Sequence, residues 1–398
     1  MLAIEKEDEI PDTRSPLERF RKPPQKPLSV TDIISPAWCE LQYWNTLTKY
    51  GTKKQTPAMK QGTRVHKELE AQVHDLVLVN VETREDAWGL RIWNIIQGLR
   101  TLRATGLTRE FEIWGVIEGE VVNGIIDEIS YTCPDPDLEI ALEESKASPN
   151  SRLPPNQLSI TDFYAKSRNG ANPWLSSPHP VRKVYITDIK TRKSKTFLPH
   201  GSSARPMLMQ LMLYHRLLTN LASGAVDSKT IFSRYNLDPA IPFSNTFKYE
   251  IASLSQNFSP NTDYDSDYVP LSSATDALSE LQLHDNLGAL WDMMIQEFSR
   301  TIPTSHGVGA ILRVEFRSQQ DGTVLGSRCF TMDEKILEAY VNDEMKWWRG
   351  EREAKGVEIE EAFKCRVCEF AEGCRWRQGK IEEAAEKARL RRKSKGNV

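Results

Sequence analysis

The residues with the clearest chemical potential lie on a predicted strand and on the helix that follows it. The segment VRKVYITDIK is rich in β-branched and aromatic side chains, which predicts a strand over Lys183–Lys190. Side chains alternate along a strand, so Asp188 and Lys190 share one face. The next pattern, RPMLMQLMLYHRLL, is helical and places Gln210 and Tyr214 four residues apart on one face. A carboxylate beside an ammonium suits metal-assisted hydrolysis, although such a pair taken alone is more often a solvated ion pair.

Two further segments carry side chains that can complete such a site. The pattern EVVNGIIDEIS indicates a strand and places Asp127 on the same face as valine and isoleucine side chains. A carboxylate on an apolar face requires a partner or a metal. A helix pattern that begins near Ala58 carries His66. Glu110 and Glu112 lie on the first strand of the hairpin that contains Asp127, and they are candidates for the same pocket.

Cysteines near both ends of the chain form a second candidate site. Three of them follow a C-x2-C-x5-C pattern: Cys365, Cys368 and Cys374. Closely spaced cysteines separated by charged residues are poor core residues but good metal ligands, and a tetrahedral centre needs a fourth ligand. Cys39 is the best candidate for it, with Cys133 and Cys329 as alternatives on or next to predicted strands. The spacing alone does not separate zinc from an iron–sulfur cluster.

The composition is that of a soluble globular protein whose core is large enough to position such sites. The chain has 398 residues, of which 39% are hydrophobic and 27% are charged. No apolar run approaches the roughly 18 residues that cross a bilayer. Six cysteines are too few for a disulfide scaffold and favour metal binding in a reducing compartment. The acidic start, MLAIEKEDEIPD, resembles neither a signal peptide nor an arginine-rich transit peptide.

Shifts in composition predict how the chain is organised. Residues 1–28 are charged and proline-rich, which predicts a flexible leader. Polar segments at about 134–180 and 253–276 are predicted insertions, the first of them largely loop. The predicted folded domain therefore covers 29–377, and a charged tail covers 378–398.

Any nucleic-acid surface of this chain must consist of local patches, because the net charge is −3. Single strands are bound by basic grooves with stacking aromatic side chains. Basic residues cluster around position 50 and directly after the Asp188 strand. The candidate DNA-binding residues are Lys49, Lys53, Lys54, Lys60, Arg192, Lys193 and Lys195.

The ordered set of motifs resembles a known group of enzymes. The segments GTRVHKELE, GIIDEI, TDIKTR and QLMLY occur in the order seen in RecB-like PD-(D/E)xK nucleases. One early cysteine with a late C-x2-C-x5-C pattern resembles the iron–sulfur branch of that group. The stretches SVTDIISPAWCELQYW and PAMKQGTRVHKELE are most similar to the exonuclease V family, particularly its fungal mitochondrial form. The resemblance implies a mixed α/β (α+β) fold: a restriction-endonuclease-like core with a mixed central sheet flanked by helices, and a C-terminal Fe–S cluster region.

The resemblance also implies roles for the candidate residues. The implied ligands of Mg²⁺ or Mn²⁺ are His66, Asp127, Asp188 and the backbone carbonyl of Ile189. The implied catalytic set is Asp127, Asp188, Lys190, Gln210 and Tyr214. In that set Lys190 orients or deprotonates the attacking water, while the residues on the helix position the phosphate or the metal. The implied ligands of a [4Fe–4S] cluster are Cys39, Cys365, Cys368 and Cys374.

From this resemblance we expect a single-stranded DNA exonuclease of DNA replication, recombination or repair. It implies attack from the 5′ end and release of short oligonucleotides. We expect a monomer in the mitochondrion, with the nucleus as the alternative, and no membrane association. A single-strand-binding protein or a helicase is the expected protein partner. No GxxxxGK[ST] motif occurs in the chain, so a helicase motor would be a separate protein.

Two other hypotheses compete with this one. In the first, the chain is a noncatalytic DNA-binding module fastened by zinc, and the carboxylates are structural. A brown protein that absorbs near roughly 400 nm would argue against zinc. In the second, the chain is a RecB-type nuclease subunit that is active only in a larger complex. Digestion of single strands by the lone polypeptide would exclude that hypothesis.

Overall fold

The computed structural model describes residues 12–53, 57–73, 79–147, 182–193, 201–254, 274–303 and 307–395. Its strands are β1 (Leu28–Ser29), β2 (Leu107–Ile117), β3 (Glu120–Ser130), β4 (Tyr185–Arg192), β5 (Ile311–Ser318) and β6 (Val324–Thr331). Its α-helices are α1 (Pro16–Phe20), α2 (Val30–Ile34), α3 (Glu40–Tyr50), α4 (Pro57–Glu70), α5 (Arg84–Thr105), α6 (Pro136–Ala147), α7 (Arg205–Ala222), α8 (Ser228–Arg234), α9 (Asn245–Leu254), α10 (Ala274–Leu283), α11 (Leu287–Thr301), α12 (Glu334–Trp348) and α13 (Arg375–Lys395). Short 3₁₀ helices cover Ser35–Ala37, Gly201–Ser203 and Ile359–Val367.

The strands form one mixed sheet in the order β1-β3-β4-β5-β6, and β2 pairs with the remaining edge of β3. The pairs β2–β3, β3–β4 and β5–β6 are antiparallel, whereas β1–β3 and β4–β5 are parallel. Helices α5 and α7 pack against β2, and α7 also contacts β4 and β5. The predicted mixed α/β fold, with a mixed central sheet flanked by helices, is confirmed.

One edge of β3 is shared by two partner strands, which creates a fork. β1 pairs with the first half of that edge, and β4 pairs with its last residues. The β3–β4 ladder ends at the pair of Glu128 with Thr187. One residue further along this register, Asp127 and Asp188 face each other where the two strands part. The fork therefore brings together two carboxylates from distant parts of the chain.

The helices on either side of the sheet are built by ordinary local signals and by apolar burial. Helix α5 begins with a capping box between Thr83 and Asp86, and it ends at Gly106, whose φ of 86° is left-handed. Helix α7 has Pro206 in its first turn, where the missing N–H has no intrahelical acceptor to bond. Its fully buried leucines are Leu211, Leu213, Leu217, Leu218 and Leu221. These helices bury their apolar faces on the sheet and so hold its strands in place.

Two glycines allow helices to approach the sheet closely at the fork. A Cβ atom on Gly124 of β3 would lie 2.8 Å from Cε1 of Tyr214 and 2.8 Å from a methyl carbon of Val30. A Cβ atom on Gly62 of α4 would lie 2.8 Å from the hydroxyl of Thr191 on β4. Any larger residue at these positions would push α7 or α4 away from the strands that carry the facing carboxylates.

Two predicted boundaries differ from the structure. Residues 12–28 are part of the fold and not a leader, because Leu17 is buried in the core and Arg21 forms a buried ion pair with Asp32. Helix α1 begins with a capping box between Ser15 and Glu18. The many prolines of this segment had led us to predict no helix there. The first predicted insertion begins as a helix, α6, and only its first residues are described.

The remaining predictions of organisation concern segments at the edges of the described ranges. Residues 148–181 and 255–273, which contain most of the two predicted insertions, lie outside the described residues. The charged tail is helical in α13, and the side chains of residues 381–392 are all exposed. No helix in the described parts of the chain combines the length and apolarity that a bilayer crossing needs.

Candidate active site and cysteine cluster

Three candidate metal ligands from three elements meet at the fork. His66 of α4, Glu110 of β2 and Asp127 of β3 each place a ligand atom within 4.8 Å of the others. Nδ1 of His66 lies 3.1 Å from Oε1 of Glu110 and 3.7 Å from Oδ1 of Asp127. Carboxylate oxygens with one imidazole form a donor set that suits Mg²⁺ or Mn²⁺.

A second carboxylate, Asp188, faces Asp127 from β4. Its side chain is 0% exposed, and Oδ1 accepts a hydrogen bond from Nζ of Lys190 at 2.7 Å. Its other oxygen, Oδ2, is buried and has no hydrogen-bond partner. Burial, and after it the charge of Asp188, raises the pKa of Asp127 to about 7. A buried carboxylate oxygen that accepts no hydrogen bond, next to a second carboxylate, is an environment that favours a bound cation.

The main chain of β4 holds both His66 and Asp127 in place. Nε2–H of His66 donates to the carbonyl of Ile189 at 3.1 Å, and the N–H of Ile189 donates to Oδ2 of Asp127 at 2.6 Å. Burial by itself lowers the pKa of His66, but the hydrogen bond to Glu110 and the charge of Asp127 outweigh burial and raise it. The carbonyl of Ile189, which is a predicted metal ligand, therefore contacts the imidazole of His66.

A row of polar side chains leads from β4 to α7. Nζ of Lys190 donates to Oε1 of Gln210 at 3.1 Å, and Nε2 of Gln210 donates to the hydroxyl of Tyr214 at 3.0 Å. Burial by itself lowers the pKa of Lys190, but the carboxylates of Asp188 and Asp127 raise it overall, so the side chain is an ammonium at neutral pH. The structure thus brings the whole predicted catalytic set together.

The two glutamates predicted for this pocket have different positions. Glu110 has a φ of 49°, a left-handed conformation that is uncommon for a residue with a side chain, and its carboxylate contacts His66. Glu112 instead forms an ion pair with Arg91 of α5. The prediction that both would share the pocket is wrong for Glu112, because a nearby guanidinium neutralises it on the helix side of β2. No local sequence signal marks the unusual backbone of Glu110.

The predicted DNA-binding residues are distributed around the fork and beyond it. Lys53 is exposed, and its Nζ lies 3.4 Å from the hydroxyl of Ser35. Lys60 on α4 and Lys193 after β4 are exposed. Arg192 stacks 5.6 Å from the ring of Phe316, and Lys49 lies 5.6 Å from the ring of Phe370. Lys54 and Lys195 lie outside the described residues.

The four predicted thiol ligands meet although they come from opposite ends of the chain. One cavity is lined by Cys39, which precedes α3, together with Cys365, Cys368 and Cys374. Burial raises the pKa of Cys39, and the other three thiols raise it further. The two alternatives lie elsewhere: Sγ of Cys329 is 3.9 Å from the carbonyl oxygen of Pro134, the residue after Cys133. Lys364 lines the same cavity, and sequence reasoning did not identify it.

Comparison with known families identifies the group to which this site belongs. A family model described as exonuclease V, a 5′ deoxyribonuclease, matches residues 15–377. The chain belongs to the exonuclease V family. As a member of this family it is an exodeoxyribonuclease, a hydrolase that acts on DNA, and the family predicted from the motifs is confirmed.

Individual relatives of this exonuclease V family member cover different parts of it. Exonuclease V of Danio rerio is 25% identical over 382 residues, which are 94% of this chain and 75% of the relative. Mitochondrial exonuclease V of Candida glabrata is 27% identical over 221 residues, or 50% of this chain and 42% of the relative. The mitochondrial protein of Candida albicans is 31% identical over 83 residues, or 21% of this chain and 13% of the relative.

Proposed function

We propose that this family member is a metal-dependent exonuclease that degrades single-stranded DNA from the 5′ end and releases short oligonucleotides. The observation that carries the proposal is the fork between β3 and β4, where a three-ligand group meets the Asp188–Lys190 pair. The description of the family as a 5′ deoxyribonuclease supports the direction. The preference for single strands and the short products rest on the resemblance of the motifs.

The residues at the fork fit a divalent cation. Mg²⁺ or Mn²⁺ would be held by His66, Glu110, Asp127 and Asp188, with the carbonyl of Ile189 as a further oxygen donor. The buried, unpartnered Oδ2 of Asp188 supports this assignment, since such an oxygen is costly unless a cation or a donor reaches it. When bound, the ion supplies a water molecule of lowered pKa and stabilises the charge that develops on the phosphate.

The protein's own side chains orient the reacting groups. The ammonium of Lys190 can donate to the attacking water or to a phosphate oxygen, where charge develops in the transition state. Its raised pKa favours this donor role over a role as general base. Gln210 fixes the direction of the ammonium, and Tyr214 in turn fixes the amide of Gln210.

At the four cysteines we infer a [4Fe–4S] cluster and not a zinc ion. With Zn–S bonds of about 2.3 Å, the sulfurs of a tetrahedral zinc site lie about 3.8 Å apart. Among the described residues, no three cysteine sulfurs come within 4.8 Å of one another, unlike the ligand atoms at the fork. A wider arrangement suits a cluster, in which each sulfur binds a different iron.

The biological role follows from the substrate and from the fungal relatives. Phosphates of a single strand would contact Lys53, Lys60, Arg192 and Lys193 around the fork, and Lys49, Lys54 and Lys195 are the further candidates. Two fungal relatives are named as mitochondrial, which supports a role of this chain in mitochondrial DNA maintenance. We propose a monomer that acts with a single-strand-binding protein or a helicase.

The decisive experiment uses purified protein and oligonucleotides labelled at either end, with Mg²⁺, Mn²⁺ or EDTA. We expect metal-dependent release of short labelled fragments from the 5′ end of single strands and little cleavage of blunt duplexes. Asp188→Asn is the matched control, and it should bind single strands without cleaving them. Cleavage in EDTA, or full activity of Asp188→Asn, would contradict the metal site. Release from the 3′ end would contradict only the direction.

A further inference from the structure

Helix α13 extends the chain beyond the part that the family model matches. It begins at Arg375 and runs for 21 residues to Lys395, a length of about 32 Å. The match to the exonuclease V family model ends at residue 377, so most of this helix lies outside it. All side chains from 381 to 392 are exposed. The nuclease core of the family therefore does not explain why this helix is present.

Only the beginning of α13 packs against the rest of the protein. The guanidinium of Arg377 donates to the carbonyl of Ala371 at 3.1 Å, and the side-chain amide of Gln378 donates to the carbonyl of Glu372 at 3.0 Å. The ring of Trp376 lies so close to Gly356 that a Cβ atom on that glycine would overlap the ring. These contacts fix the root of the helix, whereas the exposed part beyond it is presented to solvent on all sides.

The exposed part of α13 ends in a run of positive charge. No acidic residue follows Glu386 in the chain, and six of the nine residues 387–395 are basic. This run contrasts with the net charge of the whole chain, which is −3. A block of like charges on one element attracts a partner of opposite charge and is typical of an interaction arm. The basic residues whose side chains the structure describes, all of them exposed, are Lys387, Arg389, Arg391 and Arg392.

The stability of the helix accounts for only part of this run. Cations are favourable near the C-terminal end of a helix because of its dipole, but the effect is limited to the last turn. Lys387 and Arg389 lie before the last turn of α13. Three glutamates precede the run, and one of them, Glu383, is paired with Lys380 at 3.0 Å. The run therefore contains more positive charge than the helix itself requires.

The distribution of side chains on α13 favours a flexible polyanion as its partner. The large apolar residues of the exposed part, Ile381 and Leu390, are nine residues apart, which at about 100° per residue places them on opposite sides of the helix. Docking into a protein groove or onto a membrane surface requires an apolar face, which this arrangement does not provide. Single-stranded DNA is bound through its phosphates, which repeat along a flexible backbone and can follow cations that point in several directions.

We propose that α13 is an electrostatic arm that binds phosphates of the single strand outside the active site, through Lys387, Arg389, Arg391 and Arg392. The inference rests on the proposed function for the identity of the polyanion. The arm increases the affinity for long strands and takes no part in the chemical step, because its side chains are not among those that meet at the fork.

The first test is single-strand binding in the Asp188→Asn background, which prevents cleavage. The strand is several times longer than the roughly 4–16 nucleotides that one single-strand binding module covers. Replacing the four cations of the arm by glutamine should weaken binding about tenfold. It should reduce the slope of log K against log [salt] by about 2 to 3, because each phosphate contact on a single strand contributes about 0.7.

A matched control removes the same charge from the body of the protein. Its glutamine substitutions are made at four exposed lysines outside α13, and its affinity and salt slope should change little. Unchanged binding in the arm variant would overturn the proposal, and so would an equal loss in both variants, because total charge and not the arm would then be responsible. The four control positions are Lys26, Lys229, Lys335 and Lys346.

The second test uses the arm substitutions in the protein with Asp188 intact. The KM for long single strands should rise about tenfold with kcat within about twofold of the unmodified value, the pattern of a contact that binds substrate and transition state equally. Circular dichroism should show that α13 stays helical. A lowered kcat with an unchanged KM would overturn the proposal. If the unmodified protein cleaves no single strands, the proposed function has failed; if it cleaves them and the arm variant behaves like the control, only this inference fails.

Discussion

The candidate catalytic pocket and the cysteine cluster both gather side chains that can bind metal, but the fold supports the two groups differently. In the pocket, Asp127 and His66 are bonded to the main chain of β4 at Ile189, so the sheet itself sets their positions. In the cluster, Cys39 precedes α3, and the other thiols lie on a 3₁₀ helix and the loop after it. The comparison indicates that the pocket is preorganised, whereas the geometry of the cysteine loop depends on what it binds.

The pKa values of ligand groups in both sites are shifted in the same direction. Burial, and after it the charge of Asp188, raises the pKa of Asp127 to about 7, and burial, followed by the neighbouring thiols, raises the pKa of Cys365. In both sites a bound cation would offset the repulsion between neighbouring anionic groups. Loss of the ion from the pocket should stop catalysis but leave the fold intact, whereas loss of metal from the cysteines should remove the link between the two ends of the chain.

The largest expected effect is that of Asp188→Asn on activity. We expect the kcat for labelled single strands to fall about 10⁴-fold, or ~5 kcal/mol, because the buried oxygens of Asp188 can no longer attract a cation. The melting temperature should change by only a few degrees. Glu112→Gln, which alters a carboxylate outside the pocket, is the matched control and should remain active. A melting temperature as low as that of a cysteine variant would remove the distinction between the two sites.

The second prediction concerns the cysteine cluster, where we expect a large loss of stability together with the loss of metal. Cys39→Ser should lose metal and about 4 kcal/mol of stability, as expected for a folded state that binds a ligand at 1,000 times its dissociation constant. Iron content and the urea midpoint measure these two losses. Cys133→Ser, which lies outside the cluster, should keep its iron and most of its stability. Iron loss in Cys133→Ser with full iron in Cys39→Ser would identify a different fourth ligand.

A third prediction concerns the buried ion pair between Arg21 and Asp32, which also holds α3 through the hydroxyl of Tyr43. Asp32 bonds Arg21 and the hydroxyl of Tyr43, so Asp32→Asn should cost about 3 kcal/mol by leaving a buried guanidinium without its carboxylate. Burial by itself raises the pKa of Asp32, but Arg21 outweighs burial and lowers it. The pair therefore contributes its full stability above the ordinary pKa of 3.8 and loses it as the pH falls further.

Urea unfolding between pH 7 and pH 3 tests this sign. The unmodified protein should lose stability more steeply below about pH 4 than Asp32→Asn does. Parallel pH profiles for the two proteins would show that Asp32 does not supply this dependence.

The smallest expected effect is that of Tyr214→Phe. It removes one hydrogen bond to Gln210, which is worth about 1 kcal/mol, so kcat should fall about fivefold with little change in stability. Tyr340→Phe is the control, because it removes a buried hydrogen bond to the carbonyl of Ile33 away from the fork. It should lower the melting temperature and leave kcat unchanged. Equal loss of activity in both variants would mean that Tyr214 acts only through stability.

Much of the fold and of the site could be predicted because the signals are local. Strand alternation placed Asp188 and Lys190 on one face, and the helix repeat placed Gln210 four residues before Tyr214. The spacing of the late cysteines predicted a loop of metal ligands, and the structure places these cysteines in one cavity with Cys39. The leader was predicted to extend too far, because the burial of Leu17 in a distant core outweighs the prolines around it.

The sequence by itself determined which residue types lie on which strand or helix face, since periodicity and motif order depend only on near neighbours along the chain. Only the tertiary structure decided that Asp127 faces Asp188, that Glu110 enters the pocket while Glu112 pairs with Arg91, and that four cysteines from opposite ends of the chain line one cavity. Those outcomes depend on strand register, on one unusual backbone angle and on contacts between residues hundreds of positions apart. No local pattern encodes them.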